Sequence, residues 1–70
     1  MYIPPTLTEV EAEIVNLLRL GYTCRAACTM LGISINTGKN RIARARKRMD
    51  CETNLQLVAE YAVLRAVAPL

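Results

Sequence analysis

Few side chains in this sequence are suited to covalent or metal chemistry. Histidine is absent, Asp50 is the single aspartate, and the other carboxylates are Glu9, Glu11, Glu13, Glu52 and Glu60. That set excludes most metal sites and all His-dependent triads. No catalytic residue, metal ligand or cofactor is expected, and the chain reads as a non-enzyme. Cys24, Cys28 and Cys51 are odd in number and lack CxxC spacing, which argues against a disulfide framework or a zinc site. They read as small core hydrophobes, although Cys24 and Cys28 share a helical face, where a redox pair would sit. The residues that can act are cationic. Lys39, Arg41, Arg44, Arg46, Lys47 and Arg48 hold six of the nine basic groups in one stretch free of acid, whereas Glu9 to Glu13 holds three acids and no base. The net charge of +3 thus conceals a dipolar molecule, and its basic segment calls for an anionic partner.

A cationic segment recognises a partner only when a rigid element presents it. Thr8 followed by Glu11 forms a capping-box pattern, and Val10, Ile14, Leu17 and Leu18 then recur at helical spacing. Gly21 is placed to end this first helix, and Tyr22 reads as a packing residue in the turn. Thr23 caps a second helix with inner face Ala27, Cys28 and Leu31, which stops at Gly32. Ser34 caps a third, over about Ile35–Met49, with Ile42, Ala45 and Met49 as its apolar stripe. Another capping box, Thr53 to Gln56, opens a fourth helix lasting to Ala68, before Pro69. The spacing therefore predicts an all-α fold of four helices without strands. One domain spans 1–70: an N-terminal arm over 1–6 (including Tyr2, Ile3, Pro4 and Pro5), a trihelical core over 7–50 and a final helix over 53–68. The opening lacks the basic and apolar regions of a secretory signal, and no run of about 18 apolar residues exists. A cytoplasmic protein is expected.

The second and third helices are joined by a short turn containing Gly32, the outline of a helix-turn-helix whose second member is basic. A helix of about 15 residues is roughly 22 Å long, and its width fits the ~12 Å major groove of DNA. Asn36, Thr37, Lys39 and Asn40, early in that helix, are placed to reach base edges. Arg41, Arg44, Lys47 and Arg48 are placed along its basic run, the last three to grip phosphates and release counterions. A basic amphipathic helix can instead lie on a membrane, but here Ile42 and Met49 are the only large apolar groups and the core needs them.

From Leu7 to about Arg65 the chain resembles the LuxR-type (GerE-like) DNA-binding domain. The matching residues are Leu7-Thr8-x-x-Glu11, Ile14, Leu17-Leu18, Gly21, Leu31-Gly32-Ile33-Ser34-x-x-Thr37-x-Lys39-Asn40, Met49, Leu57-Val58 and Tyr61-Ala62. The resemblance implies a recognition helix in the major groove and a fourth helix that makes a homodimer. It implies base contacts at Lys39, Asn40 and Ala43, and backbone contacts at Thr23, Thr37 and Lys47. Three positions depart from the pattern: Gly38 replaces a valine, Ala43 is too short to reach a base edge, and Ala27 replaces a larger aliphatic. The stretch Lys39 to Met49 is also similar to the recognition helix of sigma factor region four. The LuxR-type reading is preferred because a sigma factor needs further regions that 70 residues do not hold, and because the fourth helix looks like a dimer helix.

That fourth helix is apolar around most of its circumference. Leu55, Val58, Ala59, Ala62, Val63 and Ala66 form one stripe; Leu57, Tyr61 and Leu64 form a second, read as a quarter turn away and taken as the dimer interface. At this length a core supplies only ~3–5 kcal/mol, so a partner subunit is expected. The sequence thus reads as a sequence-specific DNA-binding transcription regulator, a homodimer on a pseudo-palindromic promoter site, with double-stranded DNA, RNA polymerase or a larger regulator as partners. The competing reading is a small interaction protein that heterodimerises with a larger LuxR-type regulator and modulates its DNA binding.

Overall fold

The computed structural model describes residues 3–67. Within them the chain forms α1 (Glu9–Arg19), α2 (Cys24–Leu31), α3 (Ile35–Arg48) and α4 (Asn54–Val67), with no strand. The all-α expectation holds. The expected roles of Tyr2, Ala68 and Pro69 lie outside the described residues. No helix among those described is long and apolar enough to cross a membrane.

Each helix starts where a side chain can satisfy its free N–H groups. Thr8 Oγ1 accepts from Glu11 N at 3.2 Å while Glu11 Oε1 accepts from Thr8 N at 2.9 Å, a complete capping box. Thr23 Oγ1 and Ser34 Oγ accept from Ala26 N and Thr37 N, both at 3.1 Å. At α4, Thr53 Oγ1 accepts from Gln56 N, and Gln56 Oε1 accepts from both Thr53 N and Glu52 N. Helix ends use left-handed backbone: Gly21 at φ 99°, Gly32 at φ 70° and, without the freedom of glycine, Asp50 at φ 55°. At Asp50 the six-to-one bond runs from Cys51 N to Arg46 O at 2.8 Å, which returns the chain sharply toward α4.

α1 packs against the other three helices, and α3 touches both α2 and α4, but α2 and α4 do not meet. The core joins Leu7, Ala12, Ile14, Val15, Ile42, Ala45, Leu57 and Tyr61, with Val10, Leu18, Leu31, Ile33 and Met49 around it. Pro4, in the N-terminal arm, is fully buried, and its carbonyl accepts from Leu7 N at 3.0 Å. Tyr22, expected to pack, is 45% exposed.

Two features correct the sequence reading. Leu57 and Tyr61 have no exposure in a single protomer and Leu64 is half-buried. This stripe is α4's core face, and two of its three members are sealed inside, where nothing outside the chain can reach them. At 100° per residue, Leu55 and Leu57 lie 200° apart rather than a quarter turn. The outward stripe is therefore the other one, where Leu55 is 79% and Val63 57% exposed. Gly38 is the second correction. It is buried against α2, where a Cβ in its place would lie 2.0 Å from Cys28 Sγ. The departure from valine is a packing solution: α2 and α3 approach closely because one carries a thiol and the other no side chain.

Candidate nucleic-acid interface

α3 is anchored from behind by Gly38, Ile42 and Ala45, all buried. Those positions fix what points away. Asn36, Asn40, Ala43, Arg44 and Lys47 share about one third of the helix circumference, and all five are exposed. No acid interrupts this face. Arg46, Lys47 and Arg48 occupy the last turn, where positive charge also answers the helix dipole. Part of the charge run is therefore structural.

The other expected contact residues divide. Lys39 is exposed but sits on the flank of α3 that borders the gap between α2 and α4, as does Arg46. Arg41 is half-buried on the opposite flank. Thr23 is exposed, with its hydroxyl oxygen already accepting from Ala26 N, so its O–H is what remains to offer a phosphate. Thr37 is half-buried, and its Oγ1 accepts from Ser34 Oγ at 2.9 Å. Both threonines are parts of helix starts as well as of the exposed surface.

Arg48 is placed differently from the free phosphate ligand expected of it. Its Nε lies 3.4 Å from Glu11 Oε2, and the Glu11 side chain is only 1% exposed. A buried carboxylate needs its oxygens satisfied; here one caps α1 and the other faces Arg48. The pair ties the end of the basic helix to the start of the acidic one. Sequence reasoning found Glu11 as a capping residue and missed this second role, because the two partners are 37 positions apart.

Of the thiols, Cys24 borders the flank of α3 that carries Lys39 and Arg46. Burial raises the Cys24 thiol above its ordinary range, as do its hydrogen bond with Cys28 and that neighbour's charge, while nearby Lys39 pulls the other way. Burial also raises Cys51, reinforced by Glu60 and Asp50. All three cysteines are free, and among the described residues no three His, Cys, Asp or Glu side chains gather as a metal would require. Arg46 and Asn54 went unassigned from sequence. The available signal was the seven-residue spacing of Lys39 and Arg46, which puts them on one flank.

A family model for sigma-70, region 4 matches residues 5–49. The match takes in α1, α2 and α3 with their caps and stops short of α4, which supplies one of the two grounds for preferring a LuxR-type domain. No curated protein matches the chain. A basic helix held outward by a capped trihelical core, together with a family match over well over half of the chain, places this DNA-binding helix-turn-helix domain in the sigma-70 region 4 family.

Proposed function

We propose that the chain is a sequence-specific DNA-binding transcription regulator that acts as a homodimer on a pseudo-palindromic promoter site. The observation that carries this reading is the exposed face of α3, cationic and amide-bearing, uninterrupted by acid, and backed by a rigid core. Asn36, Asn40 and Arg44 face the base edges of the major groove, where amide and guanidinium groups pair bidentately with adenine and guanine. Lys47, Arg41, Thr23 and Thr37 hold the backbone.

The dimer forms on the outward stripe of α4, where Leu55, Ala59, Val63 and Ala66 are exposed. Alanines in the middle of that stripe let a second helix come close. Two-fold pairing there sets two copies of α3 about one DNA turn apart, ~34–36 Å. This is the LuxR-type arrangement carried by a region 4 core. Region 4 domains bind DNA and the RNA polymerase core, so polymerase is the further partner, recruited or occluded at the promoter.

Fluorescence anisotropy of the protein on DNA from upstream of its own gene, beside a scrambled duplex and across a salt series, tests the reading. Tight binding with a large excess for the native duplex is expected. Equal binding to both would make the chain a sequence-indifferent binder, and no binding to either at low salt would defeat the proposal. Sedimentation tests the dimer: a strict monomer at tens of micromolar refutes it, and Val63→Glu should convert dimer to monomer.

The exposed apolar face of α4 favours one alternative, a pairing protein that heterodimerises with a larger regulator. Failure to bind DNA together with heterodimers on mixing would select it.

A further inference from the structure

α2 and α4 each pack on α3 without touching one another, and the gap between them is an open notch of about 300 Å³. Its walls come from three helices: Cys24, the first residue of α2; Lys39, Ile42 and Arg46 on one flank of α3; and Asn54, the first residue of α4. Among the described residues two cations line it and no carboxylate does. The larger concavity at the α3–α4 link has the opposite sign, lined by Asp50, Glu52 and Glu60. These two hollows are thus sorted by charge.

Arg46 is oriented. Its Nη1 donates to Asn54 Oδ1 at 3.0 Å, which engages one N–H of a five-donor fork. The helix starts around it add to the field: the first turns of α2 and α4 carry no acid, and α4 is capped by neutral Thr53 and Gln56. α1, away from the notch, has Glu9 and Glu11 in that place.

The position of the notch matters as much as its charge. Lys39 and Arg46 flank the outward face of α3, so a duplex held on that face runs one sugar-phosphate strand past the notch. On the other flank Arg41 and Arg48 stand as further cations, the Arg48 guanidinium also facing Glu11; on the notch side Lys39 and Arg46 stand together.

We propose that this notch seats a backbone phosphate of the bound DNA, with Arg46 and Lys39 as the phosphate's ligands and Asn54 as the residue that positions Arg46. The proposal rests on the DNA-binding reading above and changes one part of it: Lys39, implied by resemblance to read a base, serves the backbone instead.

The test is anisotropy across a salt series on the best-bound duplex and on a set of altered duplexes. Wild type, Arg46→Ala, Arg46→Lys, Lys39→Ala, Asn54→Ala and Arg46→Ala/Asn54→Ala would be compared, each first shown to be folded by circular dichroism and urea midpoint. Arg65→Ala, in the last turn of α4, is the control and should match wild type. Arg46→Ala and Lys39→Ala are expected to weaken all duplexes by the same severalfold factor and to flatten the slope of log K against log salt by about one unit each. Arg46→Lys should restore the slope. Asn54→Ala should lower affinity at unchanged slope and add nothing in the Arg46→Ala background. A wild-type slope in Arg46→Ala, or a changed sequence preference in Lys39→Ala, would overturn the notch while leaving DNA binding intact. Failure of the wild type to bind any duplex would instead bring down the DNA-binding reading and the notch with it.

Discussion

Replacing Gly38 with alanine should have opposite effects depending on the residue at position 28. In an isolated helix the change stabilises by about 1 kcal/mol, because glycine is a poor helix former. Here the new methyl would lie 2.0 Å from Cys28 Sγ, well inside contact distance. The thiol has one torsion with which to move, and Cys28 is only 2% exposed. Overpacking of this kind costs about 1–3 kcal/mol, so Gly38→Ala alone should be destabilising, by up to about 2 kcal/mol. Removing the sulfur changes the sign. In Cys28→Ala the same methyl meets the position-28 Cβ at 3.7 Å, an ordinary contact, and the helix gain returns. Cys28→Ala alone should cost about 1 kcal/mol, and Cys28→Ala/Gly38→Ala should be no less stable than that single variant. Urea unfolding followed by far-ultraviolet circular dichroism gives the four values of the cycle. Each 1 kcal/mol should also move the melting temperature by about 4–8 °C in a domain of this size. If Gly38→Ala has the same effect in both backgrounds, to within about 0.5 kcal/mol, the two helices are not interlocked at this point and the reasoning fails.

Other consequences are as direct. Asp50 holds a left-handed conformation that costs an L-residue roughly 1–2 kcal/mol, so Asp50→Gly should raise stability by about 0.5–1 kcal/mol; a lower urea midpoint would contradict this. Glu11→Ala should cost about 1–3 kcal/mol by leaving Thr8 N without its acceptor. Glu11→Gln keeps an oxygen there and should lose less than half as much, since Arg48 is half exposed and solvent screens the pair. Burial of Cys24 keeps its proton on more firmly in the folded chain. It should therefore react with iodoacetamide more slowly at neutral pH than in the unfolded chain, and buried Cys28 should react only on unfolding. The same shift makes its contribution to stability full below the ordinary thiol range and lost as pH rises through its raised value. Cys24→Ser should remove that part of the alkaline decline.

The helix starts were legible because their information is local. Thr8 with Glu11, Thr23, Ser34, and Thr53 with Gln56 each act within three residues, and each cap lies where the spacing placed it. The stripe of α3 was legible for a similar reason, since polar residues outnumber apolar ones and Ile42 and Ala45 leave one inward choice. α4 gave no such choice. It is apolar on both sides, so periodicity could not say which stripe meets α1, and Leu57 and Tyr61 went inside while Leu55 and Val63 stayed out. Gly38 stood out only as a departure from the pattern because its reason, the Cys28 thiol, belongs to another helix. Arg48 looked like a phosphate ligand because its carboxylate partner lies at the far end of the chain. What the sequence hides here is tertiary pairing.

The arrangement of helices around α1 also has a consequence for how the chain folds. α1, α2 and α3 meet as near neighbours in sequence, whereas the packing of Leu57 and Tyr61 near α1 closes the longest loop among the helix contacts. Loop closure must be completed before that contact contributes, so the docking of α4 should come late, after the folding barrier. Truncations at Leu57 or Tyr61 would then appear mainly as faster unfolding, and truncations at Ile14 or Ile42 as slower folding. The half of the molecule that carries the cationic helix would thus assemble first, and the half with the apolar outer face would lock it shut.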